Sequence, residues 1–245
     1  MGEITLEVHD YCALLTIDSA ETRNGLTPAM GRQMVALCEE IDADPGIAVT
    51  VVRGAGGTFC SGADRATLAS PRGQAEDAQY KDIGAVYQAF VRVGQLQTAT
   101  IAAVRGAAVG TGVNLMLAAD LRVVASDARI IAGFMRIGIH PGGGFFTLAN
   151  RQAGREATAA LGLFGEEIDG RRAAELGLAW THVPSDEVEA TALRLAERAG
   201  ADPELTRATV RSFRTETGPP AVAWEVALGY ERPTQMWSLQ RRTAP

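Results

Sequence analysis

Two glycine-rich segments contain the residues with the clearest capacity for chemistry. The first is FCSGAD, residues 59–64, and the second is GAAVGTG, residues 106–112. Each follows an apolar, β-branched run and precedes a run suited to a helix, so each presents free backbone N–H groups near a helix start. Two such amides aimed at one point would form an oxyanion hole. Each donor would be worth about 3–4 kcal/mol on a developing enolate or tetrahedral oxygen.

Each segment also has a purely structural interpretation, and other catalytic or binding motifs are incomplete in this sequence. A single glycine cluster, taken alone, is also typical of a tight turn or of close packing between a helix and a strand. The segment GTG continues as VNL, so no dinucleotide-binding fingerprint is completed, and Phe59 occupies the first glycine position of a GxSxG motif around Ser61. The three histidines lie far apart, with no HExxH or CxxC motif beside them, so the sequence predicts no metal site.

The elements that must position the two segments alternate between strand and helix. Apolar runs at 47–54 and 99–106 predict buried strands before the two glycine segments, and Thr27-Pro28 is typical of a helix start. The remaining strands are predicted at 4–9, 12–18, 120–126 and 178–183, with an extended apolar segment at 128–139. Further helices are predicted near Gly112, within 65–95, and over 145–154, 155–165, 169–177, 186–201, 202–216 and 220–237. This order predicts an α/β fold of repeated ββα-like units followed by a helical C-terminal part.

Composition limits the classes of function. The chain has 245 residues, of which 47% are hydrophobic, which fits one α/β domain with a helical appendage. The net charge of -6 argues against binding nucleic acid. No apolar run approaches the ~18 residues of a membrane span, and the N-terminus does not resemble a signal peptide. Three cysteines without a CxxC pair fit reduced thiols in a cytoplasmic protein.

Five segments resemble a known family in order and spacing. They are TRNGLTPAM, VVRGAGGTFCSGAD, AAVRGAAVGTGVNLMLAADLRVVASDA, IGIHPGGG and RRAAELGLAWTHV. Together they are similar to the enoyl-CoA hydratase/isomerase (crotonase) superfamily, over roughly residues 3–185. The resemblance implies a crotonase-like spiral of ββα units, with an acyl-CoA-binding core at 1–185 and a helical trimerisation region at 186–245. It also implies a homotrimer or a dimer of trimers.

The resemblance implies which groups bind the substrate. The family binds acyl-CoA thioesters, so coenzyme A enters as part of the substrate and no separate cofactor is expected. The two oxyanion donors fall on the N–H groups of Ala63 and Thr111, where the second position is usually glycine. Arg23 matches a segment that contacts the CoA nucleotide. Asp64, next to Ala63, is a further binding candidate whose residue type also fits a helix cap.

The chain departs from the family at the two catalytic glutamates of its hydratases. The positions that match them are occupied by Asn114 and Phe134. Hydration needs one group to activate water and another to protonate the α-carbon, and neither side chain here can transfer a proton. His140 is the nearest titratable candidate in the HPGGG segment, and its alternative role is to hydrogen-bond that turn. Tyr80 and Lys81 lie in a region that often lines the acyl pocket of the family.

The sequence therefore predicts an acyl-CoA-binding enzyme whose oxyanion hole stabilises an enolate. Without the glutamates, decarboxylation or isomerisation is favoured over hydration. Two alternatives remain open: a thioester-binding protein with little or no turnover, and a hydratase whose acid and base come from other positions.

Overall fold

Strands of the described residues form two sheets in this computed structural model. The structure describes residues 2–68 and 76–218, together with Val226, Gly229, Glu231 and residues 233–237. The strands are β1 (Glu3–His9), β2 (Cys12–Asp18), β3 (Val49–Gly54), β4 (Ala99–Val104), β5 (Ala107–Val109), β6 (Leu121–Ala125), β7 (Arg129–Ile131), β8 (Glu167–Ile168) and β9 (Thr181–Val183). The larger sheet has the order β1-β2-β3-β4-β6-β9, and the smaller sheet has the order β5-β7-β8.

Helices connect these strands and cover the sheets. They are α1 (Pro28–Ala43), α2 (Arg65–Leu68), α3 (Glu76–Gly94), α4 (Thr111–Ala118), α5 (Phe134–Ile137), α6 (Phe145–Gly162), α7 (Gly170–Glu175), α8 (Val188–Gly200) and α9 (Pro203–Thr217). Short 3₁₀ turns lie at Ala20–Thr22, Ala55–Gly57 and Ser185–Glu187. Residues 233–237 are also helical, and the rest of the helix predicted over 220–237 falls mostly outside the described residues. Residues 69–75 of the segment 65–95 also lie outside them.

Local sequence explains several helix starts. The Thr27 hydroxyl accepts a hydrogen bond of 3.2 Å from the Met30 N–H, and Pro28 occupies the first helical position of α1. Asp169 and Asp202 play the same capping role for α7 and α9, through hydrogen bonds of 2.8 and 3.0 Å. The predicted α/β class is confirmed.

The predicted extended segment at 128–139 is only partly correct. Its first part forms β7, but residues 134–137 form the single helical turn α5. Gly133 and Gly138, with φ angles of 75° and 69°, bracket that turn. Both angles lie in the left-handed region that glycine adopts without a Cβ penalty, so the glycines interrupt the strand that the apolar pattern predicts.

The parallel pairing of β3 and β4 positions the two glycine segments. These strands are neighbours in register, with Val49 opposite Ala99. The carboxyl ends of neighbouring parallel strands meet at one edge of a sheet, so the segments that follow β3 and β4 start side by side. One face of this sheet is covered by α8, whose residues Val188, Ala192 and Ala196 are buried in the same core as the strands.

Among the described residues, no helix has both the length and the apolar character needed to cross a membrane.

Candidate active site

The two glycine segments are joined by backbone hydrogen bonds. The Cys60 N–H donates to the Ala107 carbonyl at 3.0 Å, and the Val109 N–H donates to the Cys60 carbonyl at 2.9 Å. A Cβ on Gly112 would overlap the Cys60 carbonyl oxygen, so the first turn of α4 packs directly on the first segment. The glycines therefore permit close contact between backbones, and they bring the two candidate amides to one place.

Gly62 sets the geometry just before the first candidate amide. Its φ angle is 97°, a conformation that side-chain-bearing residues rarely adopt. A Cβ at this position would lie 2.8 Å from the Val109 carbonyl oxygen and 3.6 Å from the Thr111 nitrogen. The Thr111 nitrogen therefore lies close to Gly62, the residue that precedes Ala63.

Both candidate amides are free to donate. Leu26 donates its N–H to the Gly62 carbonyl at 2.8 Å and accepts from the Asp64 N–H at 3.0 Å, so this parallel bridge leaves the Ala63 N–H directed away from Leu26. Thr111 is the first residue of α4, and its N–H therefore has no intrahelical acceptor. Neither amide forms a hydrogen bond with the described residues, and both residues line one cavity of about 890 Å³.

Arg23 lies at the same cavity, in a turn locked against the first glycine segment. It has a left-handed φ angle of 54°, and its carbonyl accepts the Ser61 N–H at 3.1 Å. The neighbouring Asn24 side chain is buried and donates to the carbonyls of Ala55 and Thr58, at 2.9 and 2.6 Å. Sequence reasoning did not identify Asn24, whose left-handed φ of 62° is the kind that Asn tolerates.

Asp64 both lines the cavity and caps a helix. Its Oδ1 accepts the Thr67 N–H at 3.1 Å at the start of α2, and it also accepts the Thr67 hydroxyl. This oxygen is therefore engaged with the helix start rather than free for a substrate.

The two positions that the sequence resemblance aligns with the glutamates of the family's hydratases have different environments. Phe134 is 8% exposed, lines the cavity, and packs edge-on against Phe145 with ring centroids 5.3 Å apart. Asn114 is 1% exposed and is not among the described residues that line the cavity. Its Nδ2 donates to the Gly143 carbonyl at 2.9 Å, while its Oδ1 is buried without a partner among the described residues. Asn114 thus ties α4 to the loop before α6.

The structure does not bring His140 to the two amides. His140 is exposed, its Nδ1 lies 2.7 Å from the Pro141 carbonyl oxygen, and it is absent from the described lining of the cavity. Its ring faces Phe146, with centroids 6.4 Å apart. Tyr80 and Lys81 line a different cavity of about 700 Å³, between α1 and α3.

Tyr87 is a cavity residue that sequence reasoning missed. It lies on α3, is partly buried, and lines the cavity that contains the two amides. Burial raises the pKa of its hydroxyl above the ordinary value. On an amphipathic helix, a tyrosine beside Val86 and Phe90 is typical of packing, so the sequence pattern does not indicate that this residue lies at the cavity.

Charged groups surround the cavity. Arg23, Arg65, Arg129 and Arg136 line it together with the carboxylates Glu21 and Asp64. Arg129 forms an ion pair with Glu167, at 3.0 Å between Nη2 and Oε2, and the hydrogen bonding to Arg129 lowers the pKa of the Glu167 carboxyl. Within the described residues, no group of three or more His, Cys, Asp or Glu side chains could hold a metal ion.

Comparison with known proteins identifies the family. The family model described as enoyl-CoA hydratase/isomerase matches residues 7–225. The chain belongs to the enoyl-CoA hydratase/isomerase family. It is therefore an enzyme of a family that acts on acyl-CoA thioesters.

Similar proteins carry the names of different reactions. A probable enoyl-CoA hydratase of Mycobacterium tuberculosis is 36% identical over 217 residues, which cover 88% of this chain and 83% of that protein. The 1,2-epoxyphenylacetyl-CoA isomerase of Escherichia coli is 29% identical over 209 residues, covering 83% of this chain and 79% of that protein. An enoyl-CoA hydratase structure from Polaromonas sp. JS666 has a TM-score of 0.88 and 26% identity, covering 97% of this chain and 92% of that one. The predicted crotonase fold is confirmed, whereas family membership alone leaves hydratase and isomerase reactions open.

Proposed function

We propose that this enzyme binds an acyl-CoA thioester whose α-carbon carries a carboxylate group, and that it releases this group as carbon dioxide. The observation that carries the proposal is the pair of unpartnered amides, Ala63 and Thr111, on a cavity whose wall holds Phe134. The described lining contains no histidine, cysteine or lysine. Such a site stabilises an oxyanion through its backbone, but it offers few side chains for activating water.

The proposed reaction begins with the thioester carbonyl oxygen between the two amides. The bond between the α-carbon and the carboxylate breaks, carbon dioxide leaves, and the electron pair moves onto the carbonyl oxygen as an enolate. The two N–H groups bind that oxygen more strongly as its negative charge grows, which lowers the barrier. The α-carbon then takes one proton to give the saturated acyl-CoA.

The surroundings of the amides favour decarboxylation over isomerisation. Isomerisation must begin with a base that removes a proton from the substrate. Of the two carboxylates in the described lining, Asp64 is hydrogen-bonded to the start of α2, and Glu21 is exposed to solvent on the 3₁₀ turn at Ala20–Thr22. The buried ring of Phe134 instead provides an apolar wall, which disfavours the charged carboxylate and favours neutral carbon dioxide.

The arginines at the cavity would bind the phosphates of coenzyme A. Arg23, Arg65 and Arg136 are exposed lining residues, and none of them forms an ion pair with another described residue. Guanidinium groups match the geometry of phosphate oxygens. Binding of free coenzyme A should therefore weaken as the salt concentration rises, because the contacts are exposed.

A substrate panel tests the proposed function. Isothermal titration should show binding of CoA and of acyl-CoA, and malonyl-CoA and methylmalonyl-CoA should lose carbon dioxide when products are read by mass. Crotonyl-CoA should keep its enoyl chromophore. Efficient hydration of crotonyl-CoA would contradict the proposal and favour a hydratase with relocated acid and base. Binding without any turnover would favour a thioester-binding protein.

We also propose that the chain assembles as a homotrimer or a dimer of trimers, as the family resemblance implies. Light scattering coupled to size exclusion should give the mass of three or six chains of 25.8 kDa. A monomer at every concentration would contradict this assembly.

A further inference from the structure

Tyr87 brings a phenol to the cavity of the proposed reaction. It is the one tyrosine among the described residues that line the cavity of Ala63 and Thr111. The seven-residue spacing from Tyr80 is two turns of α3, yet Tyr80 is 82% exposed and lines the cavity between α1 and α3 rather than that of the two amides. Tyr87 lines both cavities, so its ring lies between them.

The Tyr87 hydroxyl is closely confined but has no partner. It forms no hydrogen bond with the described residues. The ring packs against Phe90 with centroids 5.7 Å apart, and a Cβ on Gly142 would lie 2.6 Å from the hydroxyl oxygen. Gly142 therefore makes room for the phenol. The hydroxyl is not among the fully enclosed polar atoms that lack a partner, so it is open to the cavity and free to form a hydrogen bond with a substrate.

The loop that confines Tyr87 also borders the start of α4. Gly143 follows Gly142, and its carbonyl accepts from the Asn114 side chain one turn after Thr111. One short loop therefore contacts both the phenol of α3 and the helix that carries the second amide. This connection places Tyr87 on the α4 side of the cavity.

We propose that the Tyr87 hydroxyl donates the proton that completes the reaction at the α-carbon. This inference rests on the proposed function. After carbon dioxide leaves, the enolate electron pair forms a C–H bond with the phenolic hydrogen, and the O–H bond of Tyr87 breaks. The resulting phenolate recovers a proton from water, so the cycle consumes one proton and needs no oxidant, reductant or further cofactor.

The chemistry of a phenol suits this single role. Because burial raises the pKa of Tyr87, the group stays protonated near neutral pH and acts as an acid rather than a base. Decarboxylation needs only an acid once the C–C bond has broken, whereas isomerisation first needs a base. Tyr87 therefore supplies the proton donor, a role that His140 does not fill because it lies outside the described cavity lining.

The decisive experiment uses methylmalonyl-CoA in D₂O. Wild-type enzyme should form propionyl-CoA with deuterium at the α-carbon in one configuration. Tyr87→Phe keeps the ring and removes only the hydroxyl, so we expect a loss of at least about tenfold in kcat, since positioned acids contribute roughly 10²–10⁴-fold. The product should then carry deuterium in both configurations, because solvent would protonate the enolate. The Kd of propionyl-CoA should change less than about threefold, as expected for a group that acts after binding.

Control variants separate a chemical role from a structural one. Tyr80→Phe, on the same helix, should retain the wild-type rate and configuration. Gly142→Ala, which moves the hydroxyl but keeps the tyrosine, should lower kcat and leave propionyl-CoA bound. If Tyr87→Phe releases carbon dioxide at the wild-type rate with one configuration, Tyr87 is not the donor, although the proposed function stands. If wild-type enzyme binds acyl-CoA but releases no carbon dioxide from either malonyl thioester, the proposed function and the role of Tyr87 both fail.

Discussion

At the scale of single residues, the two amides that we propose as oxyanion donors owe their positions to backbone conformation. The Ala63 amide has its direction because Gly62 adopts a φ of 97° and lies against Val109. The Thr111 amide is available because it begins a helix, where no earlier carbonyl can accept it. Both donors are therefore products of chain geometry, and substitutions that alter only the backbone should have large effects.

Gly62→Ala tests the first of these positions. We expect it to lower the free energy of unfolding by more than about 2 kcal/mol, because it adds a Cβ contact to the strain of a positive φ. Gly56→Ala is the matched control, since Gly56 has a φ of 64° with no atom within 4 Å of a Cβ. The control should lose only about 1 kcal/mol, the strain alone. Urea unfolding measures both, and equal losses would show that the contact with Val109 is unimportant.

Thr111→Pro tests the second amide. Proline is accepted at the first position of a helix, and the preceding residue, Gly110, lies outside the helical region that a following proline disfavours, so α4 should still form. The substitution removes the N–H, and we expect turnover to fall by about 10²–10³-fold, the usual effect of losing one oxyanion donor. Thr111→Ala keeps the amide and removes the hydroxyl, so it should stay within about threefold of wild type. Initial rates of carbon dioxide release distinguish them, and similar rates for the two variants would exclude this amide as a donor.

At the scale of elements, sequence pattern predicts where the site lies better than which side chains enter it. Runs of β-branched residues before each glycine segment identify β3 and β4, and their neighbouring parallel pairing brings Ala63 and Thr111 together. The pattern does not reveal α5, because an apolar run bracketed by glycines also fits a strand. It does not reveal Tyr87 either, since a tyrosine beside Val86 and Phe90 on an amphipathic helix is typical of packing.

Arg122 shows how one buried side chain connects several elements. It is 5% exposed on β6, and its guanidinium donates to the carbonyls of Leu178, Ala119 and Asp120 and to Gln152 Oε1, at 3.0–3.1 Å. Burial lowers the pKa of this guanidinium. These hydrogen bonds tie β6 to α6, to the end of α4 and to the turn before β9.

Arg122→Lys should therefore destabilise the protein although it keeps the charge. A lysine cannot reproduce the planar fork that reaches all four acceptors, and buried carbonyls would be left unpaired. We expect a loss of about 2–4 kcal/mol in the free energy of unfolding by urea, in the range for breaking a buried charged network. Arg194→Lys, at an exposed site on α8, should change it by less than about 0.5 kcal/mol. Equal stabilities of the two variants would contradict this account of Arg122.

At the scale of the whole molecule, buried thiols link stability to pH. Burial raises the pKa of Cys38 and of Cys60 to about 12, while a thiol in an unfolded chain ionises near about 8.5. Above about pH 8.5 the unfolded chain loses these protons and the folded chain keeps them. The stabilising contribution is therefore complete below that pH and declines as the pH rises, by at most about 1.4 kcal/mol per unit for each thiol.

Comparing wild type with Cys38→Ala/Cys60→Ala isolates this effect from other groups that titrate at alkaline pH. The variant should be less stable at pH 7.5, because it loses packed sulfur atoms from the core. Between about pH 8.5 and 10, however, its free energy of unfolding should fall less steeply than that of wild type, because it lacks two groups whose ionisation favours the unfolded chain. Urea unfolding at several pH values, under reducing conditions, measures both slopes. Parallel slopes would mean that these thiols ionise equally easily in the folded and unfolded chains, and would contradict the effect that burial of Cys38 and Cys60 has on their pKa values.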